Sequence, residues 1–184
     1  PLYQGGDAVF RVASKPEPEV RMWALEGIAA GVQPWWHHIG AYHEDRRQYF
    51  VASSILEWHG KNEMYLVNRT PVATVGMLWS QRNIDFYGRD SAELLTQLPW
   101  RGFGNALLRA RIPYLPVHID NFEKYDGLKV LILPNLGALS DDQCDRIRQF
   151  VKKGGGLVAT GESSLYDEWG NKRKDFALAD VFGA

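Results

Sequence analysis

From Val72 onward, short apolar runs alternate with amphipathic segments across brief joints. That rhythm constrains the fold more than any other feature. Val72–Trp79, Tyr114–Ile119, Val130–Leu133 and Leu157–Thr160 read as strands. Their apolar runs suit strands buried on both faces, which is how parallel strands occur. Helices are predicted over Phe103–Arg111, Ser140–Lys153 and Ala177–Phe182. Strand and helix in alternation predict an α/β architecture with a parallel, doubly wound sheet.

The helix from Ser140 carries the strongest local signals. Ser140 and Gln143 have the spacing of a capping box, and Asp141 and Asp142 suit the positive end of the helix dipole. Lys152 and Lys153 suit its negative end, and Gly154 offers the left-handed stop. Cys144 falls in line with Ile147 and Val151, so it reads as a core residue rather than a nucleophile.

Before Thr70-Pro71 the texture differs. Ala8–Val12 reads as a strand, Glu17–Ala30 as a helix opened near Pro16 or Pro18 and stopped by Gly31, and Val32–Trp36 as a second strand. A further helix is predicted from Glu44 to Trp58, ended by Gly60. Two strands cannot make a parallel sheet buried on both faces, so this half requires neighbours. The reading divides the chain into residues 1–70 and 71–184.

Of 184 residues, 45% are hydrophobic and 23% charged, which excludes a disordered chain. A net charge of -1 argues against nucleic-acid and anionic-membrane partners, which reward a basic surface. No apolar run reaches the roughly 20 residues of a membrane span. A single cysteine excludes an internal disulfide and a cysteine-rich zinc site. It fits a reducing compartment, and a cytoplasmic location is expected over a secreted one. The chain opens with Pro1 and not Met, which reads as processing or excision.

Chemistry in parallel α/β folds gathers at the carboxyl ends of strands. Trp35, Trp36, His37 and His38 occupy such a place and are candidate carbohydrate-binding residues; the alternative is a packed aromatic cluster with a satisfied histidine. Alternation sets Trp35 and His37 on one face and Trp36 and His38 on the other. His37, His38 and His43 match no metal-ligand spacing, so no metal is expected. Gly161-Glu162-Ser163-Ser164 follows a strand but lacks the closing glycine of a G-x-S-x-G elbow, and no histidine follows it. Gly154–Gly156 leads from helix to strand, the reverse of a phosphate loop. The polar stretch from Ser80 to Asp90 reads as a loop, and Arg82, Asn83 and Tyr87 are candidate interdomain or subunit contacts.

As a set, WALEGIAAGVQPWWHHIG, EDRRQYF, NEMYLVNRTPVATVGMLWSQRNIDFYG, RARIPYLPVHIDNF, VLILPNLGALSDDQ and FVKKGGGLVATGESSLYDEWGNKR resemble the junction between barrel and following domain in bacterial glycosidase-like proteins. Residues 71–184 resemble the trimerisation domain of family 42 β-galactosidases, which has a class I glutamine-amidotransferase-like fold. Residues 1–70 resemble the last strand and helices of a TIM barrel in glycosyl hydrolases that carry this domain. The resemblance implies catalytic carboxylates upstream, no catalytic residue and no cofactor here, and a carbohydrate substrate for the parent protein. It implies a homo-oligomer, a trimer by analogy, built through a non-catalytic domain. Glu162 and Ser163 stand at about the place of the amidotransferase nucleophile elbow, which is degenerate. The alternative reading is a stand-alone, non-enzymatic flavodoxin-like module that binds a ligand or a protein.

Overall fold

The computed structural model describes residues 14–33, 35 and 46–183, and they divide into two compact units, Pro1–Thr70 and Pro71–Ala184. The strand expected at Ala8–Val12 lies outside the described residues.

In the first unit, α1 (Glu17–Ala29) starts with Pro at its first turn and with Glu17 and Glu19 at its positive end. It ends as expected near Gly31, whose φ of +86° is left-handed. The returning chain donates from the Val32 amide to the Gly27 carbonyl at 2.8 Å. That bond belongs to a helix terminus and not to a sheet: Val32, Gln33 and Trp35 form no strand. The strand expected over Val32–Trp36 is therefore absent among the described residues. A second helix, α2 (Arg47–Lys61), runs past Gly60 and ends where the Asn62 side chain donates to the Trp58 carbonyl at 2.8 Å. A single glycine in a last turn costs a helix little, so Gly60 does not stop it. The helix α3 (Glu63–Leu66) follows. Val20, Val51 and Ile55 form the small core between α1 and α2.

The second unit is a four-stranded, wholly parallel sheet in the order β2-β1-β3-β4. Its strands are β1 (Val75–Trp79), β2 (Tyr114–His118), β3 (Val130–Leu133) and β4 (Gly156–Ala159). The order is that of the first four strands of the flavodoxin-like winding. Val75 pairs with both Tyr114 and Val130, which fixes where the ladder begins. Residues 72–74 therefore precede the ladder, although Thr74 accepts from the Lys129 and Val130 amides.

Alternation sends Leu78, Leu131 and Leu133 to one side, where they meet Val117, Leu139, Cys144 and Ile147. Met77 and Ile132 face the other side, against Leu107, Trp100 and Phe103. The helix α4 (Leu98–Arg109) covers that second side. It begins five residues before the expected Phe103, with a proline in its first turn. On the first side lies α5 (Asp141–Lys152), which shows the expected reciprocal cap: Ser140 Oγ accepts from the Gln143 amide and Gln143 Oε1 accepts from the Ser140 amide. Gly154 closes the turn at φ +96°. Cys144 is 1% exposed, and burial pushes its thiol up to about 11. A short α6 (Ala179–Phe182) completes the unit.

Between β1 and α4 the expected loop is helical instead. Asn83–Gly88 and Glu93–Gln97 form π-helical turns, with a 3₁₀ turn at Arg89–Ser91 between them. Such wide turns are uncommon and mark places where side chains are held by tertiary contacts.

Candidate functional site

The carboxyl ends of β1, β3 and β4 bring together residues far apart in sequence. Each strand end is followed by a polar turn, as a buried parallel sheet requires: its last carbonyls and the next amides need partners. Asn135 is the hub, in the turn after β3 at φ +50°, a conformation asparagine tolerates. Its Oδ1 accepts from the Glu162 amide at 2.8 Å, and its Nδ2 donates to the Leu95 carbonyl at 2.7 Å and to Tyr87 Oη at 3.0 Å. Tyr87 Oη in turn donates to Glu162 Oε2 at 2.9 Å.

This closed circuit explains the chemistry of Tyr87. Burial, reinforced by the Glu162 carboxylate that accepts its proton, pushes the phenol up to about 12. The hydroxyl is a fixed donor and not an acid. Backbone fit seals the arrangement, because a Cβ on Gly137 would lie 2.8 Å from the Tyr87 ring. A Cβ on Gly161, which sits at φ +60°, would collide with Asn135 Oδ1.

Asn83 completes the knot from the first π turn. Its Oδ1 accepts from the Ala138 amide at 2.9 Å and its Nδ2 donates to the Asn135 carbonyl at 3.3 Å. Of the three residues read as contacts, only Arg82 is exposed. Asn83 and Tyr87 are 3% and 8% exposed and are struts inside their own unit. Their polar atoms already have partners there.

Ser163 has a similar internal role. It is 1% exposed, and its hydroxyl donates to the Thr160 carbonyl at 2.8 Å while accepting from the Leu136 amide at 3.0 Å. No helix directly follows it, the next being α6 from Ala179, so the strand-turn-helix frame of a nucleophile elbow is missing. Glu162 combines the Tyr87 bond with a loose pairing to Lys172 Nζ at 3.9 Å. It braces a turn.

One exposed feature was not singled out from sequence. Trp169 is 53% exposed, with Arg82 4.9 Å above its ring and Phe86 edge-on at 5.3 Å. Its loop is built on Asp167, whose Oδ1 accepts from the Trp169 amide at 3.0 Å and from the Asn171 amide at 2.9 Å. Desolvation alone would raise the Asp167 carboxyl, but those bonds, with one from the Asn171 side chain, together outweigh it and hold the carboxyl below its usual range. The Asp-x-x-Gly-Asn spacing at 167–171 is the signal that marks this turn.

Of the expected carbohydrate-binding residues, Trp35 is 74% exposed, whereas Trp36, His37 and His38 lie outside the described residues. His43 does too. Among the described residues no three His, Cys, Asp or Glu side chains gather to hold a metal, and no helix is long and apolar enough to cross a membrane.

No protein-family model matches the chain, and no curated protein sequence matches it. Solved structures do. The β-galactosidase of Bacillus circulans sp. alkalophilus is similar over 98% of this chain and 29% of its own, with a TM-score of 0.76 at 18% identity. A family 42 β-galactosidase of G. stearothermophilus is similar over 90% of this chain and 27% of its own, at TM-score 0.66 and 18% identity. The α-L-fucosidase isoenzyme 2 of Paenibacillus thiaminolyticus is similar over 82% of this chain and 23% of its own, at 0.57 and 22%. The chain spans less than a third of the length of each of these three. At such identities the likeness speaks for the fold alone, and the fold is that of a portion of the family 42 β-galactosidases.

Proposed function

We propose that the chain is the C-terminal portion of a glycoside hydrolase acting on carbohydrate in the cytoplasm. Residues 1–70 are the end of its TIM barrel. Residues 71–184 are an amidotransferase-like domain that supports assembly, a trimer by analogy, and performs no chemistry of its own. One observation carries the reading: four β-galactosidase structures accompany this chain over 90 to 99% of its length while it spans only 27 to 29% of theirs.

The site geometry agrees with a supporting role. Ser163, Tyr87 and Asn83 have their polar atoms engaged by their own unit, and the Cys144 thiol is buried. Glycoside hydrolysis needs two carboxyl groups flanking a bond. Glu162, the carboxylate of the knot, is instead tied to Tyr87. Around residues 1–70, exposed Val32 and Trp35 supply the uncovered apolar surface expected where a barrel continues. Because an α-L-fucosidase also shares the fold, the proposal names carbohydrate as the substrate class and no particular sugar.

The test is the native size of the product in source-cell lysate, detected with an antibody against this chain. A whole TIM barrel takes about 250 residues, so a band at least roughly twice the mass of this chain is expected. A band at the size of this chain would overturn the proposal in favour of a stand-alone flavodoxin-like binding module. In the longer protein, Trp35→Ala is expected to weaken sugar binding by about tenfold, as loss of one stacking ring would. Unchanged affinity in a calorimetric titration returns Trp35 to a packing role.

A further inference from the structure

We propose that the unit of residues 71–184 binds a small phenol or aryl alcohol in a cavity beside the knot. The cavity, about 390 Å³, opens where the winding of the sheet reverses, between the ends of β1 and β3. In open α/β sheets that crevice is where ligands bind, and the volume suits a single-ring molecule.

The walls are apolar: Trp79, Ile84, Trp100, Pro116, Pro134 and Leu136. Polar groups around them are mostly engaged. Asn83 has both ends of its amide engaged, Thr96 donates to the Ala92 carbonyl at 2.6 Å, and Arg101 is held by Glu93 at 2.8 Å and Gln97 at 2.9 Å. Two lining residues differ. Trp100 Nε1 is buried without a hydrogen-bond partner. Ser80 is 4% exposed, and its hydroxyl makes no hydrogen bond among the described residues. A buried donor is nearly always paired, so the Trp100 indole on this cavity points to an occupant, and the Ser80 hydroxyl stands on the same wall, open to bond it.

Their chemistry selects its class. An indole N–H only donates, so it selects a ligand oxygen that accepts, and a serine hydroxyl, which donates and accepts, suits a ligand hydroxyl. The remaining wall asks for an apolar ring. A sugar fits poorly, since most of its hydroxyls would lose water without gaining a partner. An anion fits poorly as well, because the guanidinium on the wall is already paired with a carboxylate. This inference is independent of the assembly role proposed above.

The probe is p-cresol, titrated into the full chain and followed through the indole N–H signals in ¹H–¹⁵N NMR spectra. One indole signal should shift saturably and vanish in Trp100→Phe. Toluene, which lacks the oxygen, should bind about tenfold more weakly. Galactose should cause no shift. Trp100→Phe and Ser80→Ala should each weaken p-cresol binding severalfold; Ser80→Ala carries the comparison alone if the ring substitution disturbs folding. The proposal is overturned if p-cresol gives no saturable shift, if toluene binds equally well, or if only galactose binds.

Discussion

The helical unit of residues 1–70 and the sheet unit of residues 71–184 bury their apolar side chains to very different degrees. In the sheet unit, Leu78, Ile119, Leu131, Leu133 and Ile147 are all 0% exposed, within one continuous core. In the helical unit, Val20, Val51 and Ile55 make a small contact, while Phe50 and Met64 are each 75% exposed and Leu25, Leu56 and Trp58 nearly half. The helix α1 shows why. Val20, Met22, Trp23, Ala24, Leu25 and Ile28 place apolar groups all around it, a pattern of helices covered on every side. One region buries its apolar side chains in a core of its own, and the other leaves many of them exposed.

That contrast can be broken by substitution. The largest effect is expected from Leu133→Ala in the middle of the sheet, a loss of about 3 kcal/mol in denaturant unfolding. A loss below about 1 kcal/mol would mean the sheet unit is looser than its burial implies. Next comes Asn135→Ala, which removes the hub of the knot and leaves Tyr87, the Glu162 amide and the Leu95 carbonyl short of partners. About 2 kcal/mol is expected, again in the sheet transition only.

A smaller effect concerns pH. The Tyr87 phenol is raised from 10.0 to about 12, so its neutral form is favoured by the fold. Its contribution is complete below pH 10 and is lost as pH rises through about 12. Melting temperature should fall across that window in the natural chain and much less in Tyr87→Phe; equal slopes would remove the circuit from the account. Smallest is Phe50→Ala, expected to change the stability of this chain by no more than about 0.5 kcal/mol. The same substitution costing about 3 kcal/mol in a longer protein would show that Phe50 is covered there.

Where local chemistry decides structure, the residues announced it. The capping box of Ser140 and Gln143 placed α5, and the apolar run Val130–Leu133 placed β3 at its observed ends. The stretch Ser80–Asp90 reads as loop because it is dense in polar side chains after a buried strand; distant partners such as Asn135 and Ala138 hold Asn83 and Tyr87 in wide turns. The helix α4 starts earlier than the expected Phe103, with Pro99 in its first turn, where no amide is needed. The knot itself was legible only in fragments. Glu162 and Ser163 drew notice as a turn, but nothing near them in the chain names Asn135 or Tyr87. No local pattern could.

The order β2-β1-β3-β4 has a consequence for how the protein is made. A ribosome releases β1 first, yet β1 lies between strands that appear much later, from Tyr114 and from Val130. Until they arrive, Val75–Trp79 has two bare backbone edges and two apolar faces, the features of a segment prone to pair with the wrong chain. Parallel pairing across such long connections is slow. The emerging chain is therefore most vulnerable while residues 80–130 are being added, and a pause in translation there would favour aggregation. Uninterrupted, shielded synthesis would protect the strand that ends in the middle.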